Sequence, residues 1–372
     1  MANKEIVIFG AGAIGEKFIY QYFDKLHINC FWDNRKSGVF LGYPVRKPQS
    51  LKNCFIIVTS VNYFEIRNQL IQMGYCEFTD FIPYQIFQKK MVIAYGNCHI
   101  GAIKRYLEQN KDFNSEYGFY PFPMIYELKE FDWEYISVLQ HCDLFLHQSI
   151  RRANKYGEIY ASEYMLRHLQ NNCNIIALPN LYGMPKYLFP QLDTAPKWQV
   201  GTICPFFIDH NIVMWLESGK SILDIRRYIL EGGVYKKRQI IDMWEEFQQK
   251  INEREKEWDI KISDYIISNH NRKKIFCDVN HITSETAQEI SLRILQYMNY
   301  KEQKSTMIPM MDDLEVIVYK DVKEALELEF EETTIRKWGK ANCFSTYEMD
   351  AEEYINQLCQ FTRFCLDRKS SS

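Results

Sequence analysis

The stretch MVIAYGNCH, residues 91–99, decides how the centre of this chain folds. Its first five residues are apolar or aromatic, and such a run closed by glycine predicts a buried strand. Gly96 allows the backbone to turn sharply, and the residues after it have the spacing of an amphipathic helix. A strand that passes through a tight turn into a helix is typical of a parallel α/β sheet, and it sets Cys98 at the start of the helix.

Strands alternate with helices on both sides of this stretch. The predicted strands cover residues 5–10, 30–33, 55–60, 92–95, 143–147 and 174–178. One predicted helix follows the first strand and ends near residue 26. The others cover residues 66–71, 100–108, 159–169, 209–258 and 285–298. Gly232-Gly233 breaks the long helical stretch. The alternation predicts the α/β class, with a small parallel-sheet domain followed by a three-layer α/β/α domain with a helical insertion.

Three domains are predicted along the chain, at residues 1–90, 91–300 and 301–372. The last is an α+β extension, because alternating apolar residues at 314–319 predict a strand and acidic helices follow it. Its final residues, 369–372, are predicted to be a disordered end.

The composition excludes several classes of protein. A net charge of −3 over 372 residues and a pI near 6.3 provide no basic field for nucleic acid. No secretory signal precedes the first strand, and no apolar run approaches the roughly 20 residues of a transmembrane helix. The eleven cysteines are scattered without a CxxC pair, and no histidine spacing suits zinc. We therefore expect reduced thiols, no metal and a cytoplasmic protein, with a homo-oligomer left open.

A glycine-rich turn follows the first strand. Gly10, Gly12 and Gly15 have the GxGxxG spacing, and Asp33 ends the second strand about twenty residues later. Glycines at these positions allow a pyrophosphate to approach the backbone at a helix N-terminus. The unit ends near residue 90, which leaves half of a dinucleotide fold. A dinucleotide, a mononucleotide, a nucleotide-sugar and a purely architectural role are the alternatives.

Cys98 is the candidate nucleophile. The positive end of a helix dipole favours a thiolate. Backbone N–H groups near Cys98 and His99, together with the side chain of Asn97, are candidate donors to an oxyanion. The alternative interpretation of Cys98 is a small apolar residue at the end of a buried strand.

Asp278 and His281 follow Cys98 by about 180 residues. Their spacing allows the carboxylate to bond Nδ1 of the imidazole and leaves Nε2 for a nucleophile, the arrangement that acyl transfer uses. The alternative is a segment that only leads into the next helix, capped by Thr283 or Ser284. A cap at either residue leaves both side chains free, so the two interpretations are compatible.

Further polar residues follow the predicted strands of the central domain. His147 and Gln148 end one strand and Asn180 follows the next, at the edge where parallel sheets bind ligands. A histidine that bonds a loop carbonyl is the equal alternative. Asp209-His210 is better explained as a helix cap than as an acid–base pair.

Basic residues follow His147 closely. Arg151, Arg152 and Lys155 form a cluster that suits the phosphates of coenzyme A or of a nucleotide-sugar. A solvated loop is the equal alternative.

Four short motifs, taken in order, resemble the motif series of the WcbI-type capsular polysaccharide biosynthesis proteins. They lie at Gly96–His99, Asp143–Gln148, Leu178–Pro185 and Asp278–His281, within about residues 91–300. The resemblance implies an SGNH-hydrolase-like fold, binding of coenzyme A and acetyl transfer.

This chain departs from the family pattern at two positions, and from SGNH-like enzymes in general at a third. His99 stands where the family commonly has Gln, and Ile282 stands where it commonly has Pro. Cys98 stands where SGNH-like enzymes usually have serine. Residues 1–90 resemble the small Rossmann-like domains attached to bacterial sugar-modifying enzymes, through the segment 40–51.

We therefore expect a bacterial acyltransferase that transfers an acyl group, most simply acetyl, from a coenzyme A thioester to a sugar or glycan precursor of a surface polysaccharide. Asp278 orients His281, which deprotonates Cys98 or the acceptor hydroxyl. The predicted cofactor contacts are His99, His147, Gln148, Arg151 and Arg152, and a nucleotide or nucleotide-sugar is the predicted ligand of the N-terminal glycine loop. The alternatives are a thiol-dependent carbohydrate esterase or deacetylase and a non-catalytic nucleotide-sugar-binding module.

Overall fold

The computed structural model describes residues 4–51, 53–128, 133–154, 156–194, 207–306, 316–330 and 350–369. The chain divides into two compact units that do not follow chain order. One unit contains residues 1–95, 112–146 and 164–175, and the other contains residues 96–111, 147–163 and 176–372. The three domains predicted from the sequence, with boundaries near residues 90 and 300, stay a prediction.

The strands are β1 Glu5–Phe9, β2 Ile28–Trp32, β3 Gly38–Phe40, β4 Tyr43–Arg46, β5 Cys54–Val58, β6 Phe81–Pro83, β7 Lys90–Tyr95, β8 Tyr117–Phe119, β9 Leu144–Gln148, β10 Asn174–Leu178, β11 Leu192–Thr194 and β12 Phe207–Asp209. The helices are α1 Ala13–Tyr22, α2 Tyr63–Gln72, α3 Cys98–Gln109, α4 Lys111–Glu116, α5 Trp133–Leu139, α6 Ser162–Leu166, α7 His210–Glu217, α8 Ile222–Glu231, α9 Lys237–Arg254, α10 Ser263–Asn269, α11 Ser284–Tyr297, α12 Lys320–Ala325 and α13 Ala351–Lys369.

The first unit contains a six-stranded sheet in the order β3-β4-β2-β1-β5-β6. Its adjacent strands are parallel except β3 and β4, which form an antiparallel hairpin. Every residue of β5 is buried, as are four of the five in β1, so these strands do not alternate between buried and exposed positions. Continuous burial is expected where both faces of a parallel sheet are covered. The predicted α/β class is confirmed here.

The second sheet has four strands in the order β10-β9-β7-β8. Backbone hydrogen bonds of 2.9 Å join the starts of its strands, from Asp143 N–H to Met91 O and from Asn174 N–H to Asp143 O. Strands that start side by side run parallel, so β7, β9 and β10 end at the same edge. At that edge β7 passes through two residues into α3, as the opening stretch of sequence predicts.

Two predicted elements are wrong. The helix predicted at 159–169 is only the short α6, preceded by a 3₁₀ turn at Glu158–Tyr160. Ser162 Oγ ties this segment to the loop after β9, since it accepts a hydrogen bond from Ile150 N–H at 2.9 Å. The strand predicted at 314–319 is not formed over 316–319, where Val316 N–H donates to Cys277 O at 3.0 Å, and residues 314–315 lie outside the described residues.

Other predicted elements are confirmed. The helical insertion consists of α7, α8 and α9, and Gly232 and Gly233 end α8 with φ angles of 93° and 96° that favour glycine. Helices α12 and α13 lie in the predicted C-terminal extension, and residues 370–372 lie outside the described part of the chain. The Rossmann-like and SGNH-like assignments stay predictions.

Candidate active site

Cys98 is the first residue of α3 and is partly exposed. The helix begins there because Asn97 is its N-cap, with extended backbone angles and a side-chain Oδ1 that accepts from His99 N–H at 3.0 Å. The strand–turn–helix therefore presents the thiol at the carboxyl edge of the sheet, where the N-terminal end of the helix dipole adds a partial positive charge.

Gln148, the last residue of β9, braces this turn. Its Oε1 accepts from Asn97 N–H at 2.7 Å, and its Nε2 donates to Pro179 O at 3.1 Å. The side chain is 0% exposed. These two hydrogen bonds join the ends of three neighbouring strands, β7, β9 and β10. Gln148 was predicted as a cofactor contact, and this structural role was not predicted.

Gly96 is required by this brace, and replacing it with alanine is expected to lower the free energy of unfolding by about 1–3 kcal/mol. A Cβ at residue 96 would lie 2.3 Å from Gln148 Oε1, which is held at both ends and cannot yield without losing its hydrogen bonds. The measurement is urea unfolding of Gly96→Ala. The control is Gly12→Ala, whose Cβ would meet no atom within 4 Å. Equal losses in both variants would show that Gln148 adapts freely.

Asp278 and His281 lie in a tight loop closed by an antiparallel bridge between Phe276 and Ile282. Asp278 is fully buried, and its Oδ1 accepts from the N–H groups of Asn280 at 2.7 Å and of His281 at 2.9 Å. Its Oδ2 lies 2.8 Å from His281 Nδ1. The carboxylate therefore fixes both the loop and the imidazole, and it leaves Nε2 of His281 as the nitrogen that faces other groups.

His281 is held close to Cys98. Burial lowers the pKa of His281, but the hydrogen bonds and charges of Asp278 and Cys98 outweigh burial and raise it from 6.5 to about 10. The imidazole is thus protonated at neutral pH, with the positive charge beside the thiol. A thiolate–imidazolium pair is the form in which a cysteine is most reactive toward a carbonyl carbon.

His99 joins the helix that carries Cys98 to the loop that carries His281. Its Nε2 lies 2.6 Å from Asn280 O, which requires Nε2–H to donate and leaves Nδ1 as an acceptor. His99 is 1% exposed, and in the described part of the chain Nδ1 has no hydrogen-bond partner. The predicted contact of His99 with a cofactor stays a prediction. Its hydrogen bond to the loop that carries His281 was not predicted from the sequence.

The neutral state of His99 is expected to make stability fall with pH on the acid side. Burial and then the charge of His281 lower the pKa of His99 from 6.5 to about 3. Below pH 6.5 the unfolded chain takes up a proton that the folded chain refuses, so stability is lost by up to about 1.4 kcal/mol per pH unit as the pH falls toward 3. Urea midpoints between pH 6.5 and 4 measure this slope.

The variant His99→Gln is expected to remove this slope, because its Nε2 retains a donor for Asn280 O and carries no titrating group. The control is His27→Gln, which changes an exposed histidine. A slope in His99→Gln as steep as that of the wild-type protein would show that other groups cause the acid instability.

In the part of the chain that the structure describes, two hydrogen-bond donors near the thiol are candidates to bind an oxyanion. His99 N–H is occupied by Asn97 Oδ1, and Asn97 N–H is occupied by Gln148. The remaining candidates for an oxyanion are the N–H of Cys98 and Nδ2 of Asn97, whose orientation the cap fixes. Of the predicted oxyanion donors, His99 N–H is therefore already bonded, and Cys98 N–H and the Asn97 side chain remain.

His147 and Asn180 lie at the same edge but are occupied locally. His147 is buried, its Nδ1 lies 3.4 Å from Gln148 O, and burial lowers its pKa. Asn180 Nδ2 donates to Ser149 O at 3.3 Å, and its Oδ1 accepts from Tyr182 N–H at 3.4 Å.

His210 follows Asp209, which is the N-cap of α7, as predicted.

The predicted basic cluster is divided by its ion pairs. Arg152 is bound by Glu163 at 2.6 Å, and Arg151 lies 3.5 Å from Glu257. Lys155 lies outside the described residues. Arg254, at the end of α9, faces the same loop and was not predicted, because a single arginine in a charge-rich helix carries no distinguishing signal.

The glycine-rich turn lies in the first unit. A Cβ on Gly10 would lie 2.6 Å from Thr59 O, and one on Gly15 would lie 2.2 Å from Gly10 O, so both glycines are needed for packing. Gly12 is the N-cap of α1 and lacks such neighbours. Asp33 Oδ2 accepts from Ala11 N–H at 3.1 Å, which ties the turn to the second strand. These contacts account for an architectural role, and nucleotide binding here stays a prediction.

Among the residues that the structure describes, no three His, Cys, Asp or Glu side chains lie together as a metal site requires. No helix in this part of the chain has the length and apolar character needed to cross a membrane.

The fold and the site together define an α/β protein with a cysteine, a histidine and an aspartate at the carboxyl edge of a parallel sheet. The model of the family described as polysaccharide biosynthesis enzyme WcbI matches residues 91–303. The chain therefore belongs to the WcbI family.

One solved structure is similar to this chain, with a TM-score of 0.62 and 17% sequence identity over 74% of this chain and 90% of the other. It is described as native WcbI, a novel polysaccharide biosynthesis enzyme, without a disulfide bond between coenzyme A and one of its cysteines. This likeness shows a shared fold. No curated protein sequence matches the chain.

Proposed function

We propose that the chain is a coenzyme A-dependent acyltransferase that modifies a sugar or glycan precursor in polysaccharide biosynthesis. The observation that carries the proposal is the arrangement of Asp278, His281 and Cys98, with the thiol at a helix N-terminus and the imidazole raised to a pKa of about 10. Membership of the WcbI family supports the polysaccharide setting. The WcbI structure described in relation to coenzyme A and a cysteine supports the donor.

In the proposed first step, Cys98 Sγ attacks the carbonyl carbon of the thioester. The developing oxyanion accepts hydrogen bonds from Cys98 N–H and Asn97 Nδ2. The C–S bond of the donor breaks, and His281 gives its Nε2 proton to the departing thiolate. The acyl group is then bound to Cys98 and His281 is neutral.

In the second step, neutral His281 removes the proton from an acceptor hydroxyl, whose oxygen attacks the acyl carbon. Cys98 leaves as a thiolate, which restores the thiolate–imidazolium pair. Asp278 holds Nδ1 throughout, so the ring presents the same nitrogen in both steps.

Calorimetry with coenzyme A and acetyl-coenzyme A, on the wild-type protein and on Cys98→Ser, tests the donor. Saturable binding to both proteins is expected, since the serine variant changes one atom of the site. Absence of binding would refute the acyltransferase. Binding followed by release of acetate without any acceptor sugar would instead favour the esterase.

A further inference from the structure

An open cleft of about 350 Å³ lies in the second unit. Its walls come from the loop after β9, the turn after β10 and the end of α9. The polar and aromatic residues that matter are Ser149, Arg151, Asn180, Tyr182, Arg254 and Glu257. This volume is near the lower limit of small-molecule sites and suits one nucleotide-sized part of a ligand.

Two guanidinium groups and one carboxylate, those of Arg151, Arg254 and Glu257, line the cleft. Within the described ranges, the ion pair of Arg151 is a long, exposed one with Glu257 at 3.5 Å. Arg254 is half-buried and donates to Asn180 O at 3.4 Å, and among the described residues no carboxylate forms an ion pair with it. Burial and then the charge of Arg151 lower the pKa of Arg254, and the charge of Glu257 opposes this shift. The two cations therefore repel each other, and Glu257 offsets part of that repulsion. An added anion relieves this repulsion.

The cleft adjoins the candidate active site. The brace joins Gln148 to Pro179 and to the turn that carries Cys98. Ser149 directly follows Gln148, and Asn180 directly follows Pro179. Both residues line the cleft. A ligand anchored in the cleft can therefore extend along the edge of the sheet to the thiol.

We propose that this cleft binds the diphosphate of a nucleoside diphosphate group, with Arg254 and Arg151 on the phosphate oxygens and Tyr182 beside the base. Guanidinium groups bind phosphate through paired hydrogen bonds. Tyr182 is 37% exposed and supplies an aromatic surface next to the cations. Glu257 releases Arg151 when the anion enters, because carboxylate and phosphate compete for the same guanidinium.

Two substrates carry this chemical group, a coenzyme A donor and a nucleotide-sugar acceptor. The role of the cleft in catalysis rests on the proposed function, whereas its affinity for a nucleoside diphosphate does not. The two proposals can therefore fail separately.

The test is calorimetry of the full-length protein with ADP. Arg254→Gln is expected to weaken ADP binding by about tenfold or more. Glu257→Gln is expected to strengthen it, because Arg151 loses its competing partner. Arg238→Gln is the matched control on the same helix as Arg254 and is expected to bind like the wild-type protein, since Arg238 pairs with Asp242 and does not line the cleft.

No binding of ADP by the wild-type protein would overturn the proposal. Equal affinity of the wild-type protein and Arg254→Gln would overturn it as well, and would place ADP elsewhere, such as the glycine-rich turn. Displacement of ADP by coenzyme A would identify the donor as the occupant, and displacement by UDP-glucose would identify the acceptor. If neither displaces ADP, the link between the cleft and the reaction is wrong.

Discussion

Replacing Cys98 with alanine is expected to reduce acyl transfer by about a thousandfold or more and to abolish the acyl-protein intermediate. The thiol is partly exposed at the start of α3 and lies beside a protonated imidazole, so it is placed for attack on a thioester. Affinity for the thioester is expected to change little, because the thiol contributes to chemistry more than to binding. The measurements are transfer rates at saturating donor and the mass of the intact protein after mixing with acetyl-coenzyme A.

The control for this substitution is Cys76→Ala, which removes an exposed thiol from the first unit and is expected to leave the rate unchanged. Full activity of Cys98→Ala together with loss of activity in His281→Ala would exclude the covalent route. In that case His281 deprotonates the acceptor hydroxyl directly, and the acyl group passes from the donor to the sugar in one step.

Replacing Asp278 with asparagine is expected to reduce acyl transfer by about 10³- to 10⁴-fold. The carboxylate accepts from two backbone N–H groups and from His281 Nδ1, and it is fully buried. An amide presents an NH₂ donor where one of these acceptors stood, so the loop or the orientation of the ring is lost. We also expect a loss of about 1–3 kcal/mol in the free energy of unfolding, measured by urea titration.

The same substitution is expected to lower the pKa of His281, because Asp278 makes the largest contribution that raises it. The ring then loses its proton well below pH 10, which NMR titration of the imidazole measures directly. The control is Asp264→Asn, which breaks an ion pair with Arg293 at 2.6 Å and whose carboxylate is exposed. A wild-type rate in Asp278→Asn would show that this carboxylate holds the loop without taking part in catalysis.

Local patterns in the sequence predicted most of the sheets. The strand at 92–95 is present because its run of apolar residues is largely buried within a parallel sheet. The strand at 174–178 is also present, but it lies at the edge of the sheet and leaves Ile175 exposed. The hairpin of β3 and β4 was not predicted, since its turn is Leu41-Gly42, with φ angles of 52° and 84°, and it lacks the Asn-Gly or Asp-Gly pair that marks such turns.

Some functional residues could be predicted from local spacing, and others could not. Asp278 and His281 are three residues apart, so their hydrogen bond could be predicted from spacing. The bond from His99 to Asn280 joins residues 181 positions apart and uses a main-chain oxygen, for which no residue type is a signal. Arg254 also escaped prediction, because only folding brings the end of α9 to the loop after β9.

The sequence by itself determined what neighbouring residues can decide: the strand that turns at Gly96 into a helix, the Asn97 cap, and the pairing of a carboxylate with an imidazole three residues away. These follow from backbone geometry and short-range hydrogen bonds, which need no distant partner. Only the tertiary structure decided that His281 meets Cys98, that Gln148 braces the turn, and that two arginines face one cleft. Those contacts depend on how strands and helices far apart in sequence pack together, which a local pattern does not specify.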